Sequence, residues 1–356
     1  MRNTATAGAS GGRLAGPFRF ERPPVTALFR PATAEDISAI TRFTSKADAG
    51  LTTVPKSETA VSDYVSESLD FLAGKDSANR LLFVGERDGE ILGISGIIPR
   101  LGVDRPFYSF KRSRHARKAS QQDLSVRYDT LQLTTDFDDY TELATIFLAP
   151  EARGSGVGRL LSLGRLAFIH AHRDRFADRL MADVRGWVDE EGKSPFWEHL
   201  TSKFIQTGFD EADRLSSEDG TFIVELCPAL PIMLNLLPDS VSDCAGKPHD
   251  LSAAAMGLLI SAGFEKTDLC DIFDGGPAVR CWTDRTLISQ SVFQATGGGV
   301  TEADEKYLHF TGNDKDFRAA LGPAYPSAQK AGRAPCEVLG TITPYVSLAE
   351  DRRVRS

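Results

Sequence analysis

The stretch LAPEARGSGVGRLL, residues 148–161, constrains the fold more than any other part of this sequence. It follows a run at 140–148 rich in Leu, Ile and Phe. It leads into a helical pattern at 158–171, where Leu160, Leu161, Leu163, Leu166 and Phe168 supply apolar surface. A strand, a glycine loop and a helix in that order call for an α/β (α+β) architecture. Within the loop, Arg153, Gly156 and Gly158 spell R-x-x-G-x-G. The first turn of a helix leaves N–H groups without intrahelical partners and carries partial positive charge. Glycine removes the Cβ that would hold a pyrophosphate away from those groups, and Arg153 adds a local cation. Arg153, Gly154, Ser155, Gly156, Val157 and Gly158 are therefore candidate contacts for a phosphorylated cosubstrate. A dinucleotide loop would need G-x-G-x-x-G after a first strand, and a Walker loop would need Gly-Lys-Ser/Thr where Gly158-Arg159-Leu160 stands. On the motif alone, a glycine turn that binds nothing remains open.

The surrounding order narrows the choice. Residues 26–31 read as a short strand ending at Pro31, and Thr33 as an N-cap with Asp36 three positions on. Ser57 opens a second helix that Gly74 ends. Residues 81–85 and 91–97 are strands, and Asp88-Gly89 between them is a hairpin signal. Residues 180–186 read as a strand, and 194–204 as a helix with Pro195 at its first position. Residues 252–262 read as a helix closed by Gly263, and 269–273 as a strand. The divisions predicted are a disordered tail at 1–26, a main region at 27–287 with an additional segment 227–287, and a small β-rich module or loosely ordered tail at 288–356.

Composition removes several functional classes. A net charge of -8 opposes a dedicated nucleic-acid binder. The one basic, aromatic stretch, 107–118, reads as a solvated strand or loop facing an anionic ligand. No apolar run approaches the roughly 20 residues that cross a bilayer; the densest, 226–237, is interrupted by Pro228, Pro231 and Asn235. No membrane partner is expected. Cys227, Cys244, Cys270, Cys281 and Cys336 are scattered, with no C-x-x-C pair. Neither a disulfide framework nor a metal site is predicted, and a reducing cytoplasm is the simplest home.

Strand, two helices, strands and then R-x-x-G-x-G opening a helix resemble the GNAT acyltransferase superfamily. That resemblance implies a mixed, mostly antiparallel sheet flanked by helices, here with a C-terminal extension. Six blocks, in one order, are similar to a single family within it. They are GLTTVP (50–55), ELATIFLAPEARGSGVGRLLS (142–162), RDRFAD (173–178), RGWVDEEGKSPFWEHL (185–200), PHDLSAAA (248–255) and DIFDGGP (271–277). The family is arginine N-succinyltransferase, and the resemblance runs from about Phe29 to Arg285. It implies transfer of succinyl from succinyl-CoA, the acyl-donor cosubstrate, to the α-amino group of L-arginine, in arginine breakdown. No permanently bound cofactor is implied. It further implies that His249 is the catalytic proton donor and that Ile146 contacts succinyl-CoA. The strand Ile146, Phe147, Leu148 would pair with the pantetheine arm, and the glycine loop would hold the pyrophosphate. The chain is expected to act as a homo-oligomer or beside a paralogous subunit.

The residues themselves leave the acid–base roles open. Histidine suits proton transfer near neutral pH, but His170, His172, His199, His249 and His309 are not distinguished by sequence. Glu142, on the strand before the glycine loop, is a rival acid or base and also reads as a structural glutamate. The guanidinium would want carboxylates in bidentate geometry, with Asp189, Glu190, Glu191, Asp271 and Asp274 as candidates. The succinyl carboxylate would want a cation, for which 111–118 is one source. Other readings are a different acyl group or amine, ornithine included, and a non-catalytic sensor of acyl-CoA or arginine.

Overall fold

The computed structural model describes residues 27–45, 54–294, 306–323 and 344–347. The expected tail at 1–26 and the first four residues of the GLTTVP block lie outside these. The strands are β1 Leu28–Pro31, β2 Leu81–Arg87, β3 Glu90–Ile97, β4 Ser109–Lys118, β5 Ser125–Thr134, β6 Thr141–Glu142, β7 Ile146–Leu148 and β8 Arg179–Asp183. They continue as β9 Ile232–Met233, β10 Glu265–Cys270, β11 Pro277–Trp282, β12 Phe293–Gln294, β13 Lys306–Thr311, β14 Arg318–Pro323 and β15 Pro344–Ser347. The helices are α1 Ile37–Thr44, α2 Glu58–Leu72, α3 Val157–Ala171, α4 Pro195–His199, α5 Phe209–Glu218, α6 Thr221–Leu226, α7 Asp239–Cys244, α8 Ala253–Ser261 and α9 Leu287–Ser291.

Local chemistry explains the element boundaries. At Asp88-Gly89 both residues have positive φ, 54° and 81°, which gives the β2–β3 turn the twist its strands need. Thr33 and Asp36 form a reciprocal capping box. Asp36 also receives Arg30 at 2.7 Å, and Arg30 reaches Glu86 at 2.7 Å, so the cap is tied to β1 and β2. Ser57 accepts the Ala60 N–H at the start of α2. α3 begins one residue earlier than its apolar pattern suggests, because Gly156, at φ 93°, already makes the turn.

The strands form two sheets. The eight-stranded one runs β12-β15-β13-β14-β1-β2-β3-β7, and the seven-stranded one runs β6-β8-β11-β10-β4-β5-β9. Among the described strands, β6 with β8 is the parallel pair and the other pairs are antiparallel. This is the mixed, mostly antiparallel sheet with flanking helices expected of the GNAT fold. The sequence reading placed one strand at 140–148; the structure breaks it into β6 and β7. β5 was not anticipated. Its residues are exposed or half-buried apart from Leu131, so it lacks the apolar run that marks a buried strand. β14 pairs with β1, so the segment 306–323 continues the main sheet.

Helix α3 packs against the larger sheet. Phe29 of β1 stacks on Phe83 of β2 at 4.8 Å, Phe83 meets Phe168 of α3 at 5.0 Å, and Phe168 meets Phe317 at 5.1 Å. All four rings are fully buried. Gly164 lets α3 approach, since a Cβ there would lie 2.7 Å from the Phe29 ring. Alanine stabilises an exposed helix position over glycine by about 1 kcal/mol; here overpacking reverses the sign. We expect Gly164→Ala to lower stability by about 1–3 kcal/mol in urea unfolding, and Phe29→Leu to recover part of that loss. A Gly164→Ala protein as stable as wild type would contradict this packing.

Candidate active site

The site is built on the break between β6 and β7. Thr141 and Glu142 run parallel to Leu180 and Met181 of β8, and the Leu143 N–H still reaches the Met181 carbonyl at 2.9 Å. On its other side the chain stays beside β3 throughout: Glu142 bridges Ile98, just past the end of β3, and Ile146, Phe147 and Leu148 pair with Ser95, Ile94 and Gly93, so what ends here is the pairing with β8. Between β6 and β7, Thr145 takes φ 39°. That value is rare for a β-branched residue and costs on the order of 1–3 kcal/mol.

Three groups hold the break. The Gly96 N–H reaches the carbonyls of Ala144 at 3.0 Å and Thr145 at 2.8 Å. The guanidinium of Arg165, buried in α3, donates to the Ala144 carbonyl at 2.9 Å and the Gly96 carbonyl at 3.4 Å. The Tyr64 hydroxyl hydrogen-bonds the Thr145 side chain and sits where a Gly96 Cβ would be, at 2.4 Å. Burial pushes Tyr64 up to about 12 and Arg165 down to about 10.

The break leaves β7 at the edge of its sheet. Ladder bonds join Ala149 to Leu92 and Thr145 to Gly96. By antiparallel alternation the backbone groups of Phe147 face β3, and those of Ile146 and Leu148 face the open edge. β7 leads through Ala149 into the glycine loop. Gly154 and Gly156 take φ 77° and 93°, and Arg153, Gly154 and Ser155 are exposed. A Cβ at Gly154 would meet no protein atom within 4 Å. The Ser155 hydroxyl donates to the Ala152 carbonyl, and Val157, Gly158 and Arg159 form the first turn of α3.

His249 faces this edge from the other side. The His249 N–H bonds the Arg185 carbonyl at 2.8 Å, and Gly186 bridges to Pro248, so the loop 246–249 runs along the extension of β8. The last pair of the two strands is Glu142 with Met181, and beyond it β7 stays with β3 while the continuation of β8 carries the His249 loop. The Leu251 N–H donates to His249 Nδ1 at 3.1 Å, leaving Nε2 for exchange with a ligand. Desolvation, then the Arg185 charge, lower the His249 pKa, with Asp250 opposing.

The remaining histidines and carboxylates sort themselves by partner. His172 Nε2 accepts the Asp314 N–H at 3.0 Å, and His199 ends α4. Asp189 accepts the N–H groups of Glu191 and Lys193, closing its own turn. Asp271 Oδ1 accepts from Phe273 and Asp274, and Asp274 holds the N–H groups of Gly186 and Gly276, both at 2.7 Å. Cations of the 107–118 stretch pair within their hairpin: Lys111 with Asp136 and Arg112 with Asp129, each at 2.7 Å.

Two carboxylates carry more than sequence revealed. Burial drives Glu142 from 4.5 up to about 7, although the charges of Arg165, Arg80 and Arg105 pull the other way. Asp183, at the end of β8, is pushed well above the usual range by burial and then by Asp271, Glu142 and Asp274. A charge after the apolar Leu180-Met181-Ala182 was the available sign. Arg165 was similarly visible as a cation within the apolar pattern of α3. Among the described residues no His/Cys/Asp/Glu group could hold a metal ion, and no helix is long and apolar enough to cross a membrane.

A family model described as the arginine N-succinyltransferase beta subunit matches residues 27–288. Arginine N-succinyltransferases of Escherichia coli strains UMN026 and SMS-3-5 are each 33% identical over 298 residues, spanning 80% of this chain and 87% of theirs. The solved structure of arginine/ornithine succinyltransferase subunit AI from Pseudomonas aeruginosa superposes with a TM-score of 0.75 at 26% identity. It covers 90% of this chain and 98% of that one.

The Glu142 shift fixes a sign. A carboxyl raised in the fold favours its protonated form, so its contribution to stability is full below 4.5 and is lost as pH rises through about 7. Glu142→Gln should unfold at the wild-type temperature near pH 4 and above it at pH 8. Equal melting temperatures at pH 8 would show that Glu142 is not strained by burial.

Proposed function

Because the chain belongs to the arginine N-succinyltransferase family, we propose that it transfers succinyl from succinyl-CoA to the α-amino nitrogen of L-arginine, giving N2-succinyl-L-arginine and CoA. The observation that carries this reading is the open β7 edge running into the glycine loop, with the His249 loop bonded to Arg185 on the continuation of β8, the strand that pairs with β6. Ile146 and Leu148 would pair with the pantetheine amides, with Phe147 fixing the strand to β3. Arg153, Gly154, Ser155, Gly156, Val157 and Gly158 would bind the pyrophosphate by charge and free N–H groups.

The reaction needs three proton transfers. The α-ammonium must lose a proton, its nitrogen then bonds the thioester carbonyl carbon, and the carbon–sulfur bond breaks as the oxyanion collapses, while the nitrogen gives up a second proton to become the neutral amide and the departing sulfur gains one. Glu142, at about 7, is matched to accept the amine proton near neutral pH. An outward N–H of β7 would stabilise the oxyanion. His249 Nε2 would return a proton to the departing sulfur, since Nδ1 is occupied by the Leu251 N–H.

The buried free thiols of Cys227, Cys244, Cys270 and Cys281 support a reducing cytoplasm as the site of action. Exposed Leu230 and Leu236, flanking the edge strand β9, support assembly with further copies or a paralogous subunit. Ornithine is a second acceptor to test, because the Pseudomonas neighbour carries it in its name.

Thiol release from succinyl-CoA, with and without L-arginine, tests the reading. Arginine-dependent release should fall at least about a hundredfold in His249→Ala, the lower range of a general acid–base group. Ser155→Asp should raise KM for succinyl-CoA about tenfold or more through repulsion at the loop, with kcat near wild type. Release with acetyl-CoA but not succinyl-CoA would keep the fold and reject the acyl group.

A further inference from the structure

The acceptor's guanidinium needs an anion, and of the carboxylates suggested by sequence Glu190 is exposed in a turn and the other four are committed elsewhere. Asp189 closes a turn, Glu191 pairs with Lys193 at 3.1 Å, and Asp271 and Asp274 hold the backbone of 271–276 and 186. Asp183 differs. Its Oδ1 is enclosed by protein and has no hydrogen-bond partner among the described residues. An enclosed polar atom left unpaired costs about 1–3 kcal/mol, which points to a partner supplied from outside the chain.

Its position fits that partner. Asp183 lies two residues beyond Met181, the last residue of β8 bonded to the β6 strand, and so just past the point where the two strands part. Leu180, Ala182 and Val184 enter the core around α3, so strand alternation puts Asp183 on the opposite face with Arg185. The Arg185 carbonyl holds His249. Asp183 thus stands two residues along the chain from the residue that anchors His249.

We propose that Asp183 receives the guanidinium of the acceptor and sets the preference for a cationic amino-acid side chain. The assignment rests on the reading of this site as an arginine acyltransferase centre. A guanidinium stays charged at all working pH values and offers two parallel N–H groups to one carboxylate. The α-ammonium is the poorer match, because a carboxylate holding it would oppose the proton loss that attack requires. Binding draws Asp183 into its ionised form, so the carboxyl proton leaves to solvent as the ion pair forms.

The test compares L-arginine with L-citrulline, its uncharged analogue, in wild type and Asp183→Asn. The expected result is that kcat/KM for arginine falls about a hundredfold or more in the variant, mainly through KM, while that for citrulline stays within about threefold. Calorimetry on wild type with CoA bound, in buffers of different ionisation enthalpy, gives a readout free of any variant. Arginine should release more protons than citrulline, because its cation draws the raised Asp183 carboxyl into the ionised form. Equal losses for both acceptors, an unchanged arginine KM, or equal proton release by the two would overturn the assignment while leaving the acyltransferase reading intact. Wild type that shows no arginine-dependent thiol release would overturn both.

Discussion

Everything at this site depends on one strand losing one of its two partners: it keeps its place beside β3 from Glu142 to Leu148 and parts from β8 after Leu143. β6 belongs to the smaller sheet and β7 to the larger, and only three residues separate Glu142 from Ile146. Had the pairing with β8 continued to Leu148, no edge would stay open to a ligand. The break is unfavourable by itself, because Thr145 adopts a backbone angle that β-branched residues avoid. It persists because Arg165, Tyr64 and the Gly96 N–H saturate the carbonyls and hydroxyl that the turn exposes. A guanidinium is suited to this work, since it keeps its charge after burial and can serve two carbonyls at once.

That arrangement also explains where charge accumulates. Closing two sheets against each other encloses Glu142, Asp183, Asp271 and Asp274 at their seam, and each is raised by the loss of water. Asp274 reaches about 8. Protein interiors tolerate such groups when they are neutral or hydrogen-bonded. Two of the four serve a loop, and the other two face the divergence where the sheets part. The difference lies in backbone N–H groups: the loop 271–276 supplies them and the end of β8 does not.

Much of the frame was legible in the chain because it rests on local chemistry. The Asp88-Gly89 turn, the Thr33 and Ser57 caps, the glycine stops at Gly74 and Gly263 and the loop before α3 all depend on residues close in sequence. The strand break was not legible, because its cause is distant: Thr145 is forced by contacts from α2, β3 and α3. The hairpin of β4 and β5 was only half seen, since its pairing of cations with Asp129 and Asp136 stands in for an apolar pattern. His249 was indistinguishable among the histidines by spacing, and the family resemblance singled it out. The pairing of its loop with 185–187, which gives it a neighbourhood, is a long-range contact that no local pattern encodes. Asp183 and Arg165 stood in view as charges inside apolar runs, but their meaning required the two sheets to be placed together.

The junction of β14 with β1 has a consequence for how the chain reaches this state. β1 lies among the first described residues and β14 among the last, so the larger sheet is closed by a contact of very high sequence separation. Phe317 arrives with that segment and completes the aromatic stack of Phe29, Phe83 and Phe168. During synthesis, the edge of β1 and one side of that stack must wait until β14 has left the ribosome. Until then an unpaired strand edge and an uncovered aromatic face stand exposed together, the combination that invites misassociation. Folding is therefore expected to be slow at this step, as contact order dictates. The order of events follows from which two strands meet, and a cell making this protein in quantity would call on chaperones most at that moment.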